Sequence, residues 1–182
     1  MKALPERLAM SASFDGEVTW HSLDWAEIQA SVRKTQLKIA QATGDGNWRR
    51  VKRLQRMLTH SFHGRCLAVR RVTENRGRKT PGVDGETWGS PQAKLHAVKC
   101  LSKKRGYRPK PLRRIWIPKP GKQEKRPLGI PTMLDRAMQA LYLLALEPSI
   151  ESTSDPKSYG FRPDRSTADA MTELHALLSR EV

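Results

Sequence analysis

The chain has 182 residues, with 37% hydrophobic and 29% charged residues. That is enough for one domain or two small ones with a modest core, and it does not fit a disordered chain. Lys and Arg number 34 against 18 Asp and Glu, a formal charge of +16; such an excess opposes self-association and attracts polyanions, because each neutralised phosphate releases condensed counterions. Nucleic acid is the partner class this balance favours. Cys66 and Cys100 stand far apart with no Cys/His cluster, which argues against a zinc module or a disulfide scaffold and points to a reducing cytoplasm. The longest apolar run, Ala140 to Leu146, is too short to span a membrane, so no membrane partner is expected.

Residues 1–22 carry no convincing period and read as a loose tail. From Leu23 the pattern turns helical: Asp24 can cap, and Trp25, Ile28, Val32, Thr35 and Ile39 share a stripe. Gly44 to Asn47 breaks the chain. Asn47 offers a second cap, and Trp48, Val51, Leu54, Leu58 and Phe62 form the next stripe, so a helical hairpin is predicted. The other face of the second helix holds Arg49, Arg50, Lys52, Arg53 and Arg56, and no Asp or Glu occurs from Asn47 to Val72. Most charge runs are solvated faces, but a solubilising helix mixes signs; this one reads as a phosphate-contacting face.

A short helix over Cys66 to Thr73 follows, then a loop with turn signals at Pro81-Gly82 and Asp84-Gly85. Next comes a helix from Pro91 to about Lys104, capped near Ser90 and stopped by Gly106. Between Lys103 and Arg126 every charged residue except Glu124 is Lys or Arg. Arg113 to Lys119 is β-branched and aromatic enough for a strand, Pro120-Gly121-Lys122 supplies a turn, and Arg126 to Ile130 returns. The prolines confine these strands to the edge of a small sheet. A strongly apolar helix runs from its cap Thr132 to about Leu146 and is ended by Pro148. Ser152 to Arg165 reads as loop, and a last helix starts near Ser166. The fold class is α+β: an N-terminal helical hairpin, then a mostly helical subdomain with a small antiparallel β-hairpin. The division is a tail over 1–22, a helical RNA-binding extension over 23–106, and a final unit over 107–182.

The run Leu112 to Lys119, then Arg126 to Thr132, then Asp135-Arg136 and Gln139, resembles the first conserved block of group II intron reverse transcriptase/maturases. Ser158 to Pro163 with Arg165-Ser166 resembles the second block, and Ala68 to Thr73 with Thr80 to Gly85 resembles that family's N-terminal extension. The resemblance runs from about Trp20 to the C-terminus. It implies a right-hand polymerase whose fingers and beginning palm occupy 107–182.

By position in the motif, Lys119 and Arg126 would bind the triphosphate of the incoming dNTP; flanking the connection Pro120 to Lys125, they are expected across from one another on the hairpin. Arg113, Arg114, Arg162 and Arg165 would contact template RNA. Tyr159 or Phe161 would pack beneath it or seat their own loop, with core packing at least as strong an expectation. Implied partners are intron or template RNA and, in the complete enzyme, a DNA primer and dNTP. Mg2+ is expected only in a complete polymerase and no cofactor in this chain, because the family's catalytic aspartates have no counterpart here. The expectation is a chain inactive alone: either the front of a polymerase completed by further chain or a partner, or a stand-alone basic RNA-binding module. The two differ at the surface. A front piece should expose the apolar faces of helices 132–146 and 166–180, and a finished module should cover them.

Overall fold

The computed structural model describes residues 19–102 and 106–179. Most of the expected tail, residues 103 and 104 of the helix expected to reach Lys104 and the last residues expected of the final helix lie outside those described; Leu101 already caps the helix that begins at Pro91. Four residues of the tail reading are corrected: Thr19 caps a 3-10 turn over Trp20–Ser22, and Trp20 is 3% exposed. Its indole packs on Trp25 with centroids 4.8 Å apart, while Lys94 lies over Trp20 and Arg70 over Trp25. An aromatic pair between two cations is a stable local anchor, and it fixes the entry to the first helix.

Helix α1 (Trp25–Gly44) starts where Asp24 accepts a hydrogen bond from the Glu27 N–H, and α2 (Trp48–His60) where Asn47 accepts from Arg50. The predicted stripes are buried at Ile28, Val32 and Ile39 on α1 and at Val51, Leu54 and Leu58 on α2. Trp48 and Phe62 depart from the stripe and are exposed. Trp48 stands at the open first turn. Phe62 is out of phase because Ser61 turns the chain: its hydroxyl donates to Leu58 O and accepts from Gly64 N–H, ending one helix and starting the next. Helix α3 (Phe62–Glu74) therefore begins earlier than its apolar pattern suggests. Helix α4 (Pro91–Cys100) is capped by Ser90.

Strands β1 (Arg113–Pro118) and β2 (Lys125–Ile130) form an antiparallel hairpin, and α5 (Met133–Thr153) and α6 (Thr167–Leu178) complete the chain. The result is the α+β, fingers-like arrangement: a helical body with one two-stranded sheet. Helix α5 is its axis. Met133, Ala137, Met138 and Leu141 pack into the core formed with Trp20, α3 and α4, and Ala145 into a second core with α1 and α2. Truncating the fully buried Leu141 to Ala should cost about 2–5 kcal/mol.

Pro148 does not end α5, which continues to Thr153. Proline removes the N–H that would have bonded the carbonyl of Leu144, four residues back. That carbonyl instead accepts from Gln36 Nε2 of α1 at 2.9 Å. One turn on, Gln55 Nε2 of α2 donates to Ser149 Oγ, which donates to Leu146 O. A break that would be costly in isolation is thus repaired from two neighbouring helices. Around it the outer face of α5 exposes Leu143, Leu146 and Ile150, and α6 exposes Met171, Leu174, Leu177 and Leu178 with no buried residue of its own.

Replacing Gln36 by Leu should leave the Leu144 carbonyl without its donor and lower stability by about 1–3 kcal/mol in denaturant melts. A Pro148→Ala variant restores the missing N–H, and in that background the cost of Gln36→Leu should largely vanish.

Candidate nucleic-acid interface

Two cationic regions stand on different parts of this frame. On α2, Arg49, Lys52, Arg53 and Arg56 are exposed and Arg50 is half-buried; among the described residues none of the five is in an ion pair. The first turn of α2 holds no acid, so Arg49 and Arg50 add to the positive end of the helix dipole. Each such cation opposes the helix by about 0.3–1 kcal/mol unless an anion arrives. The second region is the hairpin. α2 is tied to α5 near Ser149 and the hairpin enters α5 at Thr132, so the attachments lie ~25 Å apart along a helix rising 1.5 Å per residue.

The first turn of α5 sets the base of the hairpin. The buried carboxylate of Asp135 accepts from Thr132 Oγ1 at 2.7 Å, from the Tyr107 hydroxyl, and from the backbone N–H of Lys110 at 3.3 Å. Burial alone would raise its pKa, but these donors outweigh burial and hold it below the ordinary aspartate value. The Tyr107 phenol is pushed up by burial and by that same carboxylate. Arg136, depressed from its usual value by burial, spreads its guanidinium over three carbonyls, those of Pro131, Gly77 and Thr80, at 3.0, 3.0 and 2.6 Å. Gly82 lies so close to α5 that a Cβ there would stand 2.6 Å from Thr132 Cα. Lys110 reaches back to Asp84 at 3.3 Å. The segment Thr80 to Gly85, conspicuous in the sequence, is thus the piece of the N-terminal half that docks on the base of the hairpin.

On the hairpin the register is Ile117 opposite Arg126 and Pro118 opposite Lys125. Lys119 continues it opposite Glu124, with its N–H on Glu124 O and its ammonium on the Glu124 carboxylate at 2.7 Å. Lys119 and Arg126 are therefore diagonal neighbours on one face, not directly across from one another as the flanking positions suggested. Arg113 shares that face, and Arg114 points to the other.

Arg162 and Arg165 are in neither region. Arg162, its side chain 8% exposed, grips Glu151 through two parallel bonds of 2.9 and 2.6 Å and donates to Asp155 O. That pairing raises Arg162 and lowers Glu151 from their ordinary values. Arg165 donates to the carbonyls of Pro156 and Ser158 and lies over the Tyr159 ring. A phosphate contact by either arginine requires giving up a protein partner. Tyr159 seats the loop, whereas Phe161, at φ 58°, is fully exposed. The sequence holds no signal for these internal pairings, since Pro148 reads as the end of the helix that in fact carries Glu151.

Phosphoryl transfer by two metal ions needs converging carboxylates. Among the described residues no group of three His, Cys, Asp or Glu side chains converges, and the hairpin's Glu124 is held by Lys119. The described residues do not fit Mg2+.

A helical body, a two-stranded hairpin standing on it, and cations on both make up an α+β, fingers-like subdomain. A family profile described as the N-terminal domain of reverse transcriptase matches residues 20–101. The protein YkfC of Escherichia coli (strain K12) is 36% identical over 152 residues, 81% of this chain and 39% of that protein. The group II intron-encoded protein LtrA of Lactococcus lactis subsp. cremoris is 34% identical over 109 residues, 59% of this chain and 18% of LtrA. These are family-level matches to group II intron-encoded reverse transcriptase proteins, with the N-terminal reverse transcriptase domain matched over residues 20–101. The chain spans well under half the length of these curated relatives.

Because the folded Asp135 carboxyl titrates below its unfolded value, its contribution is present above the unfolded pKa and is lost as pH falls through the folded one. Asp135→Asn should cost about 2 kcal/mol near neutral pH. The gap in Tm from wild type should close as pH is lowered through the acid range, and a gap independent of pH would contradict the charged state assigned here.

Proposed function

We propose that this chain grips structured RNA as the N-terminal and fingers part of a group II intron-type RNA-directed DNA polymerase. The observation that carries the reading is the basic face of α2, five cations with no acid, two of them crowded at the positive end of the helix dipole. That arrangement is unfavourable in the free protein and becomes favourable on a phosphate backbone. The wide minor groove and loops of folded RNA offer phosphates and 2′-hydroxyls to such a surface without requiring a base sequence.

In the same reading the hairpin face with Lys119 and Arg126 meets the triphosphate of an incoming dNTP. Lys119 must then exchange Glu124 for phosphate, an inexpensive step because an exposed ion pair contributes little. The stand-alone RNA-binding module is the second reading. The exposed apolar faces of α5 and α6 favour the polymerase fold, which has further chain to cover them.

Reversing Arg49, Arg50 and Arg53 to Glu should weaken binding of a structured intron RNA about tenfold or more near 0.1 M salt, and flatten the log–log salt slope by about 2–3. The melting temperature should hold or rise, since acids suit the first turn of a helix; unchanged RNA affinity would remove the assigned role of α2. On the hairpin, Arg126→Ala should weaken dNTP binding about fivefold, read from amide chemical shifts of β1 and β2, and Arg114→Ala on the opposite face should not.

A further inference from the structure

The hairpin has a second face whose chemistry differs from the first. The register sets Trp116 opposite Pro127, Arg114 opposite Gly129 and Pro118 opposite Lys125, all pointing away from Lys119 and Arg126. Trp116 is 58% exposed, and among the described residues its ring meets no other ring and no cation. Leu112 extends the apolar strip: it lies over Gly129, where a Cβ would stand 2.7 Å from Leu112 Cδ1. Glycine at 129 is what lets this side chain lie flat on the strand. Arg114 and Lys125 are exposed on the same face, and from Gly106 to Leu134 the one acid is Glu124, which is bound to Lys119 on the other face.

We propose that Trp116 is a stacking platform for an unpaired base of single-stranded nucleic acid, with Arg114 and Lys125 on the neighbouring phosphates. The proposal rests on the nucleic-acid reading above and adds to it a site on the face turned away from the triphosphate contacts. The charge pattern selects the occupant. A large ring left in water between two cations is matched by a strand that offers a π-face and a phosphate at every nucleotide. Double-stranded RNA or DNA hides its base faces in the stack and does not fit.

The test is titration of the whole chain into labelled oligoadenylate and oligodeoxyadenylate over a range of salt, with a blunt RNA duplex as control. Trp116→Ala should weaken single-strand binding at least about fivefold and leave the salt slope unchanged, because a stack and not a phosphate contact is lost. Trp116→Phe should retain most of the affinity. Lys125→Ala should instead flatten the slope, and duplex binding should be indifferent to Trp116. Loss on both strands assigns the stack to the base alone; loss on the ribose strand only assigns the site to RNA.

Wild-type binding that Trp116→Ala leaves intact overturns this proposal and spares the broader reading. Equal losses on single strand and duplex, or a change in sedimentation showing that Trp116 buries against a second copy, also overturn it. A wild-type chain that binds no RNA at all overturns both. The ring is exposed, so the variants should melt as the wild type does.

Discussion

The carboxylate of Asp135 sits buried in the first turn of α5, kept charged by donors from two chain segments, and the projecting parts of the molecule are arranged around it. Through Tyr107 and Lys110 it holds the approach to β1. Its neighbour Arg136 holds the loop from Gly77 to Thr80, and Gly82 closes on the backbone of Thr132. A buried charge with all donors in place specifies one geometry, because losing any donor is expensive in a low-dielectric setting. A two-stranded hairpin is marginal on its own in water. Its base is made rigid by this knot, and its position relative to the helical body follows from it.

Charge is distributed with the same economy. Inside the body the cations are spent on structure: Arg136 on carbonyls, Arg162 on Glu151, Arg70 and Lys94 on the tryptophan pair. Five cations on α2 and those of the hairpin stand among the cations left to solvent, and the two elements attach to α5 ~25 Å apart by its rise per residue. One long polyanion, or two, can engage both regions. Separated contacts of this kind give affinity through counterion release and orientation through their spacing.

Much of this frame is legible in the sequence because it is local. The caps at Asp24, Asn47, Ser90, Thr132 and Ser166 announce their helices, and the β-branched and aromatic run of β1 with the turn after it marks the hairpin. What escapes is what depends on distant partners. Pro148 reads as a stop, yet the carbonyl it orphans is satisfied by Gln36, 108 residues earlier. The partners of Arg162 and Arg165, Glu151 at the end of α5 and the carbonyls of Pro156 and Ser158, are brought to them by a loop whose closure no periodicity encodes. Trp20 reads as tail because a single buried ring makes no pattern. Lys119 and Arg126 share a face as the hairpin demands, but a register set by the turn places Glu124, not Arg126, opposite Lys119.

The account stands on the claim that α2 and the hairpin are where this chain meets RNA. Hydrogen–deuterium exchange of the chain with and without a structured intron RNA reads that claim directly. Slowed exchange over residues 47–60 and 113–130, with the buried Met133 to Leu141 stretch of α5 unaltered, is the expected result. Protection confined to α6 and the exposed end of α5, with α2 and the hairpin exchanging as in the free protein, would contradict it.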